Sequence, residues 1–267
     1  MPAPAPGLPP RDDFQWPAFV GPTSRVITKA ADWQEEGILL PHEVLRWLHQ
    51  QIREVLECFD PEEPGQDWKL PLFFNWLERY YIATVHHHHA AEENIYHPAI
   101  LAKGGTLPEK ITVDHEEILK RVELCPSFRV KISEEGAKAV EELKAHMTQL
   151  IDLVDEHLAE EEAAYPAALR SCAMSEADHQ RVIEQILLGL GLEGNKVFLP
   201  PIVYTMHAWA GKERADAFVN SLPPPIRLAY NRCWMPDFVK NSTDVLAALK
   251  GTEPFEPMPP GCACVVM

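Results

Sequence analysis

Six side chains in this sequence have the types and spacing to hold metal ions: His42, His88, Glu92, His115, His157 and Glu161. His88 and Glu92 stand four residues apart, as do His157 and Glu161. On a helix each pair projects an imidazole and a carboxylate from one face, about one turn apart. The second pair lies in a repeat of the first: HHHHAAEENIYHP (86–98) is echoed by HLAEEEAAYP (157–166), and the stretch EENIYHPAIL returns as EEAAYPAAL with one residue deleted. Four imidazoles and two carboxylates without a thiolate suit iron, with manganese the alternative, better than a zinc site built on cysteine. Six protein ligands are too many for one open site. They suit two ions, with Glu92 and Glu161 bridging and each ion taking two histidines and a solvent-derived oxo or hydroxo bridge.

The elements that must position these residues are four helices. The first is predicted from Pro41, in the first-turn position, to Phe59, with Leu45, Leu48, Ile52, Val55 and Leu56 as its apolar stripe and His42 beside it. The loop 60–67 ends it. A long second helix from Leu72 to Ala102 carries the histidine cluster and closes at Gly104 and Gly105. A third, Pro108–Leu124, carries His115, and a fourth runs from an N-cap at Ser133 to Arg170. Short linkers make sequential helices antiparallel, which predicts an all-α, up-down-up-down four-helix bundle with the six ligands at one depth. The interval from His42 to His115 nearly equals that from His88 to His157, as a duplicated ligand-bearing hairpin requires.

Other residues compete for these roles. His86, His87, His89 and His97 point in other helical directions and read as surface or supporting residues; Glu93 paired with His89 is the alternative register. His49, one heptad after His42, is a second candidate for the first ligand, and His146 is a candidate for lining the site. Glu43 and Glu116, each following a single histidine, read as solvated.

The pattern H, HxxxE, H, HxxxE over four helices, with both HxxxE units carrying a trailing EE and an aromatic-proline ending (IYHP and AYP), resembles the hemerythrin-like HHE cation-binding family. The matching motifs span His42 to Leu169. The resemblance implies a hemerythrin-like bundle whose six positions bind a non-heme di-iron centre able to bind or react with dioxygen. It also favours His88 over His89, because Glu92 then precedes Pro98 by the interval the family shows. Oxygen-carrying hemerythrins have HxxxH on the third helix and HxxxxD on the fourth, whereas Leu119 and Glu162 stand at those places here. An iron or oxygen sensor, buffer or carrier is the expected function, and an enzyme that activates dioxygen or peroxide is the alternative. A metal-stabilised interaction module is a third reading.

Around this core the chain is expected to divide into an arm and packing segment (1–37), the metal-binding bundle (38–172), a helical extension (173–251) opened by a Ser175–Asp178 capping pair, and a proline-rich tail (252–267). The 267 residues carry a formal net charge of −16 without a basic run, which argues against nucleic acid as a partner. Six cysteines without CxxC spacing read as reduced thiols in a cytoplasmic protein. No apolar run is long enough to be read as a membrane span. The last four residues, CVVM, match the prenylation pattern, so Cys264 is the expected farnesyl site and Cys262 a second, palmitoyl site, anchoring the protein to the cytoplasmic face of a membrane.

Overall fold

The computed structural model describes residues 32–60, 63, 65–253 and 255; Cys262, Cys264 and the N-terminal arm before residue 32 lie outside them. The described residues contain helices and no strand. Helix α1 spans Trp33–Glu57 and α2 runs from Lys69 to Ala102 without a break. Within α2 the segments Lys69–Trp76, Ala83–Ala91 and His97–Ala102 are joined by two π-helical stretches, Leu77–Ile82 and Glu92–Tyr96. Helix α3 is Glu109–Val122, α4 is Ser127–Glu135 and α5 is Ala137–Ser171.

Pairings along the helices fix the topology. On α1 and α5, His42 meets Glu162, His49 meets Asp155 and Arg53 meets Asp152, so numbers rise on one helix as they fall on the other. The α3–α5 pairs Lys110–Glu160 and Arg121–Gln149 run the same way, as do the α1–α2 ring contacts His42–His88, His49–Tyr81 and Phe59–Phe73. The fold is the all-α, up-down-up-down bundle expected of a hemerythrin-like chain.

Two helix starts differ from expectation. Helix α1 begins ahead of Pro41, because Asp32 caps it through the Glu35 N–H at 3.2 Å and Arg170 bridges Asp32 and Glu35. Pro41 therefore lies inside the helix, where it removes one backbone bond, and residues 33–37 belong to the bundle's first helix rather than to an arm. Ser133 is no cap: it sits inside α4 with its hydroxyl on the Arg129 carbonyl, and the long helix starts at Gly136, whose φ of 60° turns the chain between α4 and α5.

After the bundle, Ser175 and Asp178 close the expected capping box and open α6, Glu176–Trp209. Gly191, at φ 61°, breaks α6 into two pieces. By length and composition α6 could cross a membrane, with a mean hydropathy of 1.3 over its most apolar window. Its second piece nevertheless packs on α1, where Trp47 meets Tyr204. Helix α7 spans Lys212–Ser221. A final run, α8, joins Pro224–Ala229, Met235–Phe238 and Asp244–Lys250 through π-helical turns at Tyr230–Trp234 and Val239–Thr243. Phe238 completes an aromatic cluster with Trp47, Tyr80 and Tyr204, and the Trp76 indole N–H donates to Ser242 at 2.9 Å. Burying each such ring stabilises the fold by roughly 1.5–3 kcal/mol, so the extension is a structural cover over α1 and α2. Cys58, Cys125 and Cys172 are free thiols, whereas Cys233 is disulfide-bonded, against the expectation of reduced thiols throughout.

Candidate metal centre

All six expected residues converge at mid-depth in the bundle, one helix contributing to each face of the site. With His89 as a seventh member they form two clusters of groups able to hold a cation, His42–His88–Glu92–Glu161 and His89–Glu92–His115–His157, in each of which the ligand atoms lie within 4.8 Å of one another. Glu92 is common to both. Glu161 divides its oxygens between two histidine pairs. Its Oε2 is 3.2 Å from His42 Nε2 and 3.8 Å from His88 Nε2, while its Oε1 is 3.2 Å from His157 Nε2 and 3.4 Å from His115 Nε2. Glu92 Oε2 lies 3.6 Å from both His88 Nε2 and His115 Nε2, between the pairs on the other side.

The site is buried, and several of its polar atoms are not satisfied by the protein. His42, His157 and Glu161 are fully buried. His88 Nε2, both Glu92 oxygens and both ring nitrogens of His89 lack a hydrogen-bond partner. Each such orphan costs about 1–3 kcal/mol when nothing else meets it. This cluster of orphaned nitrogens and oxygens fits bound cations and would be hard to explain as packing alone.

Electrostatics point the same way. Burial holds His88 down at about 4 and His89 well below the ordinary imidazole range, so both stay neutral and keep lone pairs free near neutral pH. Burial, followed by the charge of Glu161, pushes the Glu92 carboxyl well above the carboxylate range. Burial also opposes ionisation of Glu161, but the imidazoles of His115, His157, His42 and His88 more than reverse it and hold that carboxyl well below its usual value. Two adjacent buried carboxylates can both ionise only beside added positive charge, which metal ions supply.

Behind the inner residues stands a ring of carboxylates, and it explains the trailing EE of both repeats. Glu93 accepts from His115 Nδ1 at 2.7 Å and Glu162 from His42 Nδ1 at 3.0 Å. Each hairpin's second glutamate thus orients the lone histidine of the other hairpin, fixing the tautomer that leaves Nε2 free for a ligand bond. Glu162 is itself held by Arg46 at 2.7 Å, and Arg46 by Glu43 at 2.7 Å. Burial raises the Glu162 carboxyl, but His42 and Arg46 outweigh it and bring it down to about 2. Asp114 lies 3.7 Å from His157 Nδ1. Tyr165, from the AYP ending, donates its hydroxyl to Glu161 Oε1 at 2.9 Å and contacts His97.

Several expectations need correction. His89 is not a surface residue: it is buried, and its ring lies 4.4 Å from that of His115, centroid to centroid. The repeat gave no sign of this, since Leu158 occupies the equivalent place in the second copy; the run of four histidines was the available signal. Glu43 is buried and paired rather than solvated, while Glu116 is exposed. His49 is bound to Asp155 at 2.7 Å, and His146 contacts the Arg121 carbonyl at 3.0 Å, so neither joins the site. His97 is buried and supports Tyr165, and His87 is exposed against Phe198.

The family model for the hemerythrin HHE cation binding domain matches residues 36–169. No curated protein and no solved structure matches the chain. The matched segment contains α1 to α5 almost entire and every residue of the two clusters, and the chain belongs to the hemerythrin HHE cation-binding family.

Proposed function

We propose that the bundle holds a non-heme di-iron centre and serves as an iron or oxygen sensor, buffer or carrier. His42, His88, His115 and His157 would be terminal ligands, Glu92 and Glu161 bridging ones, and His89 an additional ligand on the His115–His157 side. The observation that carries this reading is the division of the Glu161 oxygens between two histidine pairs, with Glu92 shared by both cation clusters. Such a pair of ions would supply a site for dioxygen or peroxide. The chain's own part is to exclude water, to hold the imidazoles in one tautomer and to keep the Tyr165 hydroxyl donating to Glu161 Oε1.

Anaerobic loading of the full chain with Fe(II), followed by metal analysis and an optical spectrum before and after air, tests the proposal. Two irons per chain and an oxygen-dependent spectrum are expected, both lost in His88→Ala combined with His157→Ala. Full-length protein that takes up neither iron nor manganese, or a double variant with unchanged iron, overturns it.

One observation favours an enzyme as the second reading: an apolar pocket reaches His88 and Glu92. Oxygen consumption or peroxide loss that depends on those two residues would select it over a sensor or carrier.

A further inference from the structure

We infer that this pocket is a binding site for a neutral apolar organic molecule, one ring or one alkyl chain in width, held beside the metal centre by the C-terminal extension. The cavity measures about 130 Å³ and lies between α1, α2 and α6. Val44, Ile183, Ile186, Leu187, Phe198 and Ile202 supply its hydrocarbon walls, and no lysine or arginine lines it. An enclosed apolar cavity of roughly this size takes up benzene or xenon, and this pocket offers the same kind of wall with an open rim.

The few polar groups on the wall divide into three sets. Thr84 donates to the Tyr80 carbonyl, and the Tyr96 hydroxyl lies 3.1 Å from His179 Nε2, so both are occupied. His87 stands at the rim against Phe198. His88 Nε2 and the two Glu92 oxygens remain unpartnered, and they belong to the candidate metal centre. Glu161, His42 and His157 are fully enclosed, so the pocket meets the centre at His88 and Glu92. Its outer wall comes from residues 183–202 and 218, beyond the segment matched by the family model, so the extension completes a site whose inner wall is the bundle.

The binding claim stands without a metal; only the claim of proximity rests on the proposed di-iron centre. Toluene titrated into metal-free, full-length protein by calorimetry is expected to give saturable binding. Binding is expected to be lost in Ile186→Trp, which fills the space, and in Ile202→Asn, which makes the wall polar; both residues are half-buried, and circular dichroism checks that each variant keeps its helix content. Absence of saturable binding in the natural chain, or unchanged binding in the folded variants, overturns the site. In iron-loaded protein the same toluene concentrations are expected to shift the optical spectrum. Binding with no spectral shift overturns the placement beside the metal, and failure to load iron refutes the proposed centre while the metal-free titration still decides the pocket.

Discussion

The two hairpins of the bundle, α1–α2 and α3–α5, carry the same ligand pattern but put it to different use. In the second hairpin the pattern is sealed: His157, Leu158 and Glu161 are fully buried, and Tyr165 donates to Glu161. In the first, Leu158 is replaced by the polar His89. The matching tyrosine, Tyr96, turns away from the centre to His179, and His88 with Glu92 borders the apolar pocket. Among the described residues the extension packs on this first hairpin. A duplicated sequence has thus become one fixed half that anchors the site and one half that can communicate with whatever lies outside it.

Glu161→Ala is the severest challenge to that division. Both its oxygens face histidine pairs, so iron content is expected to fall to background by metal analysis, whereas Glu92→Ala is expected to retain part of the iron. The reverse order would make the first hairpin the anchor. His89→Leu, which copies the second hairpin into the first, is expected to weaken iron on the His115–His157 side alone, read as one tight and one weakened site in a titration.

The carboxylates behind the histidines should differ as the hairpins do. Loss of such a partner weakens metal binding about 10–100-fold. Glu162→Gln is expected near the upper end, because Glu162 is buried and also holds Arg46; Glu93→Gln is expected near the lower end, because its side chain is 36% exposed. Equal effects in a chelator competition would remove the distinction.

A pH effect separates the covered from the uncovered hairpin. Burial holds His179, in the cover, at about 4 rather than the ordinary 6.5. The unfolded chain therefore takes up a proton that the folded one refuses, and stability falls as pH drops from 6.5 to 4, by at most about 3 kcal/mol from this residue. Urea unfolding of metal-free protein at several pH values is expected to show a shallower slope in His179→Phe. An unchanged slope would show that the buried imidazole under the cover carries no such linkage.

The bundle and its six inward residues were legible because helical periodicity and the repeated HxxxE phrase both depend on local spacing. What escaped depends on contacts between distant segments. The capping of α1 by Asp32 was hidden by Pro41, which usually marks a beginning, and the start of α5 depends on the single turn at Gly136. His89 could not be placed by a strict 3.6-residue wheel that already committed His88 to the core, since both neighbours face inward, about 100° apart, toward different helices. The π-helical stretch Glu92–Tyr96 carries Tyr96 itself, whose hydroxyl meets His179, whereas its sequence counterpart Tyr165 donates to Glu161, although the two rings touch. The pocket required the extension's packing, of which the sequence marked only the helices.

The exchange of buttresses between hairpins has a consequence for how such a chain could arise and be divided. Glu162 serves the first hairpin's His42 and Glu93 the second hairpin's His115, the reciprocity of a two-fold dimer interface drawn into a single polypeptide. Neither half is complete alone. Cleavage in the short connection between α2 and α3 would therefore leave two pieces with reason to reassociate, and the metal centre would record whether they had.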